Sequence, residues 1–99
     1  MSQTLTTFDM VALLDSDEAI SEYLSQVLAD GDNEEFLRAV GYVAKARGMA
    51  KIATGTGMGR ESLYKAFAPG AKPRFETVLK VLHSLGIDLL AQPGHVANR

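Results

Sequence analysis

The stretch Met49–Phe67, MAKIATGTGMGRESLYKAF, decides the fold. In it Ala53 is followed by Gly57, and Gly57 by Leu63. Two short helices that cross tightly need these residue types in this order. The first helix needs a small side chain where the second crosses it, which Ala53 provides. The turn needs a residue that takes positive φ without a Cβ clash, which Gly57 does. The second helix needs an apolar anchor on its inner side, which is Leu63, while Ile52 and Met58 flank the crossing and fill it. The spacing predicts helices near 50–56 and 60–67 joined as a helix-turn-helix. In this motif the second helix enters the major groove of DNA and reads bases from its N-terminal end.

Charge is divided along the chain in a way that agrees. Residues 1–37 hold nine acids and no Lys or Arg, whereas residues 38–99 hold ten bases and three acids. The two parts carry −9 and +7, so the formal net charge of −2 conceals a strong separation. A polyanion would bind the basic part, and the acidic part would face away from it.

Outward from the central stretch, helical periodicity continues in both directions. Ile20, Tyr23, Leu24, Val27 and Leu28 mark an amphipathic helix near 16–29, with Asp15 placed to cap it and Gly31 to end it. Asp32 and Glu35 repeat the start signal. Phe36, Val40, Val43 and Ala44 then form the inner stripe of a helix near 33–47, closed by Gly48. After the loop Ala68–Pro73, the residues Phe75, Val78, Leu79, Leu82 and Leu85 give a last helix its stripe, and Gly86 ends it. Ile87–Leu90 is expected to be a short strand or an extended pairing segment. A short helix is expected near residues 9–14. The expected fold is all-α, a bundle of five or six helices with the helix-turn-helix at its centre. It forms one domain over residues 1–92, and residues 93–99 are a fraying tail.

Size and composition narrow the function. Ninety-nine residues suffice for one domain, and such a chain buries roughly 60–70% of its unfolded surface. The absence of cysteine rules out disulfides and thiolate metal sites. His83 and His95 lie too far apart in sequence to suggest a ligand pair, and no metal or other cofactor is expected. No apolar run approaches the ~20 residues of a membrane span, and the N-terminus lacks the pattern of a signal peptide, so a cytoplasmic location is expected. An enzyme is the class with least support. Ser62 has no neighbouring base, and there is neither a phosphate-binding glycine loop nor a carboxylate pair in a plausible cleft.

The candidate contact residues follow from the predicted second helix of the motif. Its exposed turns present Arg60, Glu61, Ser62, Tyr64 and Lys65 for base readout. Arg60 suits guanine O6 and N7, Glu61 a cytosine amino group, and Tyr64 a thymine methyl or a phosphate. Lys51, Lys72 and Arg74 are the candidate phosphate contacts, which position a protein without reading sequence. Each base also has a plainer reading as a solvated surface charge, and Tyr64 one as a lid over the core edge with a wet hydroxyl.

These residues resemble a known family. The stretch from Arg47 to Leu90, with LYKAF and KPRFET, is similar to Cro/repressor-type domains of lambda-repressor-like fold. Together with TTFDMVALLDSDEAISEYLSQVLADGD, Thr6–Asp32, it resembles the HigA-like (Xre-type) addiction module antidote proteins of bacterial toxin–antitoxin operons. The resemblance covers about residues 5–90. It implies an antitoxin that binds a palindromic operator in double-stranded DNA as a homodimer, represses its operon and neutralises a small basic RelE/ParE-like toxin. Three positions depart from the family pattern. Gly59 stands where Ser usually caps the recognition helix, Gly55 lies inside the first motif helix, and Ala50 replaces a polar residue at that helix's start. A glycine inside a helix costs up to ~1 kcal/mol relative to alanine, so a loosely held first helix is expected. The competing expectations are a module that only neutralises the toxin and a plain cytoplasmic helix-turn-helix regulator without one. A small basic protein encoded beside this chain would favour the antitoxin over the plain regulator.

Overall fold

Five helices follow one another along residues 16–94, the part of the chain that the computed structural model describes. They are α1 (Asp17–Asp30), α2 (Asn33–Arg47), α3 (Met49–Thr56), α4 (Arg60–Ala66) and α5 (Phe75–Ser84). The described residues contain no strand, and none of their helices is long and apolar enough to cross a membrane. The helix expected near 9–14 and the tail beyond Gly94 lie outside the described residues.

Local chemistry sets the helix limits. Ser16 caps α1: its backbone is extended and its Oγ accepts a hydrogen bond from Ala19 N at 3.1 Å. The capping residue is therefore Ser16 and not Asp15; both are good capping types, and Asp15 lies outside the described residues. Gly31, at φ +83°, ends α1 in the left-handed region and donates its N–H to Leu28 O. Asp32 caps α2 as expected, its Oδ1 accepting from Glu35 N at 3.1 Å.

A single residue joins α2 to α3. Gly48 donates its N–H to Ala44 O and Lys45 O at the end of α2, and its own carbonyl accepts the first hydrogen bond of α3, from Ile52 N. It does so at φ +106° and ψ +109°, a conformation that a side chain would strongly disfavour. Between α4 and α5 the chain makes a tight turn. Pro69 and Gly70 are its central residues, Gly70 has φ +81°, and Ala71 N donates to Ala68 O at 3.0 Å. Proline followed by a positive-φ glycine is the type II arrangement. Arg74 follows Pro73 in extended backbone and starts α5. The other end of α5 is closed by paired bonds, Gly86 N to His83 O and Ile87 N to Leu82 O, a Schellman motif that tucks Ile87 into the core.

Each helix gives the core at least one side chain that is essentially out of water. These are Ile20 from α1, Val40 and Val43 from α2, Ile52 from α3, Leu63 from α4, and Val81 and Leu82 from α5. α2 packs on α1, α3 and α5, and α3 packs on α2, α4 and α5, so these two helices form the middle of the bundle. Two glycines permit close approaches between elements. A Cβ on Gly41 of α2 would stand 3.1 Å from Phe67 Cβ, and one on Gly55 of α3 would stand 2.5 Å from Ser84 Oγ.

The structure corrects several expectations. α3 starts without a side-chain cap, but it packs on three other helices. Ile52 anchors it with 1% of its surface exposed, and Gly55 marks where α5 lies against it. Leu28 and Phe75, expected on inner stripes, are 48% and 68% exposed. Leu28 lies in the last turn of α1 and Phe75 is the first residue of α5, and a stripe loses its cover where its helix starts or runs out. Ile87–Leu90 is not a strand. Ile87 is buried and Leu89 half-buried, while Asp88 and Leu90 are exposed, so the alternation of an extended segment is present without a described partner.

Candidate nucleic-acid interface

The bend between α3 and α4 is built as its sequence requires. Gly57 sits at φ +76° and ψ +10°, in the left-handed region, and donates its N–H to Ala53 O at 2.9 Å. Thr56 braces the same bend. Its hydroxyl donates to Ile52 O at 2.8 Å and accepts from Met58 N at 3.2 Å. Met58 is half-buried against the core. Gly59 precedes α4 in extended backbone and offers no side-chain cap.

Leu63 pins α4 from behind and is completely buried. From Arg60 to Lys65 every other residue is exposed: Arg60, Glu61, Ser62, Tyr64 and Lys65. At about 100° per residue, Glu61 and Lys65 lie farthest round the helix from Leu63. Arg60 is exposed because it opens the helix, and Tyr64 lies on the flank. Lys51 on α3, Lys72 in the loop and Arg74 at the start of α5 are exposed as well.

The ion pairs separate bases that are engaged from bases that are not. Among the described residues, Arg38 pairs with Glu34 at 3.5 Å and Arg47 with Asp17 at 2.8 Å. Among the described residues, no carboxylate lies within 4.0 Å of Lys51, Arg60, Lys65, Lys72 or Arg74. Acids concentrate on the first two helices, with Asp17, Glu18 and Glu22 on α1 and Glu34 and Glu35 in the first turn of α2.

Tyr64 is 43% exposed, and Lys45 Nζ of α2 stands 5.7 Å from the centre of its ring. Tyr64 is thus a surface residue whose ring lies beneath Lys45. Lys45 is a residue that the sequence did not single out. Its signal is a contact between α2 and α4, and no local spacing announces it. Tyr42 of α2 is 47% exposed as well. Tyr23 holds its proton more firmly than the ordinary phenol value of 10.0, first because it is partly buried and then because Tyr42 and Glu35 lie nearby.

Comparison with known proteins adds the following. A family described as "Probable addiction module antidote protein" matches residues 4–93 of the chain. A protein of Haemophilus influenzae described only as uncharacterized is 38% identical over 97 residues, which is 98% of this chain and the whole of that protein. No solved structure matches.

Proposed function

Since the chain belongs to the family of probable addiction module antidote proteins, we propose that it is the antitoxin of a type II toxin–antitoxin pair and that it also represses its own operon. In this reading α4 enters the major groove of a palindromic operator. Arg60, Glu61, Ser62, Tyr64 and Lys65 face the bases, and Lys51, Lys72 and Arg74 meet phosphates. The observation that carries it is the face of α4, which is held by Leu63 and Gly57 and presents Arg60 and Lys65 without an ion pair among the described residues. The protein acts as a homodimer, whose two recognition helices lie about 34 Å apart, in successive major grooves. The non-helical segment Ile87–Leu90 supports such a contact, since Leu90 is 89% exposed.

The toxin half of the proposal rests on charge and on the family. A toxin of RelE/ParE-like kind that engages RNA carries positive charge, and the acids of α1 and early α2 are complementary to it. DNA and toxin then meet different helices of one small domain in the cytoplasm. Gel-shift titration of the folded protein against the duplex upstream of its own gene, at stepped salt, tests the DNA half. If each subunit neutralises about three phosphates, the slope of log K against log salt is roughly −5 for the dimer. Absence of any retardation at low salt would refute DNA binding. Co-purification with the adjacent gene product tests the toxin half, and failure of the two to associate would refute it.

A further inference from the structure

Of the two bases in the last turn of α2, Arg47 is committed to Asp17 at 2.8 Å, whereas Lys45 meets no carboxylate among the described residues and rides over the ring of Tyr64 instead. We propose that Lys45 is an additional phosphate contact of the DNA interface and that Tyr64 is its positioning residue and not a reader of bases. The proposal rests on the DNA-binding reading above and moves one residue within it from readout to support.

Three physical points carry it. An aromatic face attracts an ammonium group through its quadrupole within about 6 Å of the centroid, and it does so without neutralising the charge. Lys45 therefore keeps its full charge and its N–H donors while its long side chain is already oriented in the free protein. The ring that orients it belongs to α4, between the anchor Leu63 and the outward Lys65, so the ammonium stands on the flank of the recognition helix. A phosphate lining the groove that α4 enters would meet an ordered cation there. Finally, with one face of its ring beneath Lys45, Tyr64 has that face closed to a base, which limits what it reads. A contact of this kind positions the protein and carries no sequence information.

The test is a set of salt-stepped binding isotherms on the duplex upstream of the gene and on a shuffled duplex of equal length. They are made with the full chain and with Lys45→Gln, Lys45→Arg, Tyr64→Phe and Tyr64→Leu, each shown to be folded by circular dichroism. Lys45→Gln is expected to make the salt slope shallower by about 1 per subunit and to weaken both duplexes by the same factor, and Lys45→Arg to restore the slope. Tyr64→Phe, which keeps the ring, is expected to leave both quantities unchanged. Tyr64→Leu is expected to weaken both duplexes equally and to add little when combined with Lys45→Gln, as coupled residues do. An unchanged slope in Lys45→Gln while the original chain binds would overturn the phosphate contact. A changed ratio between the two duplexes in Tyr64→Phe or Tyr64→Leu would overturn the positioning role. If the original chain bound neither duplex, the DNA-binding reading itself would fall, an outcome distinct from both.

Discussion

Gly55 and Ser84 approach so closely that a Cβ on Gly55 would come within 2.5 Å of Ser84 Oγ and 3.4 Å of Ser84 Cβ. The glycine that weakens α3 as an isolated helix is what lets α5 lie against it. Replacing Gly55 by Ala gains up to ~1 kcal/mol of helix propensity but forces the Ser84 hydroxyl from its position, at a cost of about 0.5–1.5 kcal/mol if it leaves its rotamer. The single change is therefore expected to be near neutral. In a Ser84→Ala background the obstructing atom is gone, and Gly55→Ala is expected to stabilise by about 1 kcal/mol. A double-mutant cycle in urea measures the difference, and strict additivity would contradict the contact.

Gly48 and Gly57 both have positive φ, but they differ in ψ. Gly57 lies in the left-handed helical basin, where an L-residue costs roughly 1–2 kcal/mol. Gly48, at ψ +109°, lies outside it. Gly48→Ala is therefore expected to destabilise by more than about 2 kcal/mol and Gly57→Ala by less. Gly57→Asn should recover part of its loss, because asparagine tolerates that basin. Denaturation midpoints of the three variants give the ranking.

The proposed readers and phosphate contacts should fail in different ways. Arg60→Ala is expected to cost about 1–3 kcal/mol of discrimination between operator and altered operator, with a smaller effect on a shuffled duplex. Lys51→Ala, Lys72→Ala and Arg74→Ala are each expected to weaken all duplexes alike and to make the salt slope shallower by about 0.9 per phosphate lost. Fluorescence anisotropy on operator and shuffled duplexes at several salt concentrations separates the two behaviours.

Tyr23 gives the fold an alkaline limit. Its folded pKa lies above 10.0, so the folded chain holds the phenolic proton more tightly than the unfolded chain does. The associated stability is fully present below pH 10 and falls as the pH rises through the folded value. Tyr23→Phe removes the ionisation, and its stability relative to the original chain is expected to rise as the pH passes 10. Urea midpoints measured from neutral to strongly alkaline pH check the sign.

Much of the architecture was legible because its signals are local. The limits of α2 were readable in Asp32 and Gly48, and the bend before α4 in Gly57, since a cap or a positive φ is decided by adjacent residues. The same locality explains the slip at the start of α1: Asp15 and Ser16 are adjacent capping types, and spacing does not choose between them. Features made by distant residues were not readable. Gly55 looks like a defect until Ser84 is placed beside it, and Lys45 looks like an ordinary surface base until Tyr64 lies under it. Leu28 and Phe75 are apolar at the right helical spacing, but periodicity names a face and not what covers it.

The one-residue seam at Gly48 also governs how a chain of this design can change length. One added residue there would break the hydrogen bonds that Gly48 shares between the two helices and shift α3, with α4 behind it, off the face of α2. The loop that ends in Pro73 is under no such restriction. Insertions and deletions among chains built on this plan should therefore gather between α4 and α5 and leave the junction of α2 with α3 untouched.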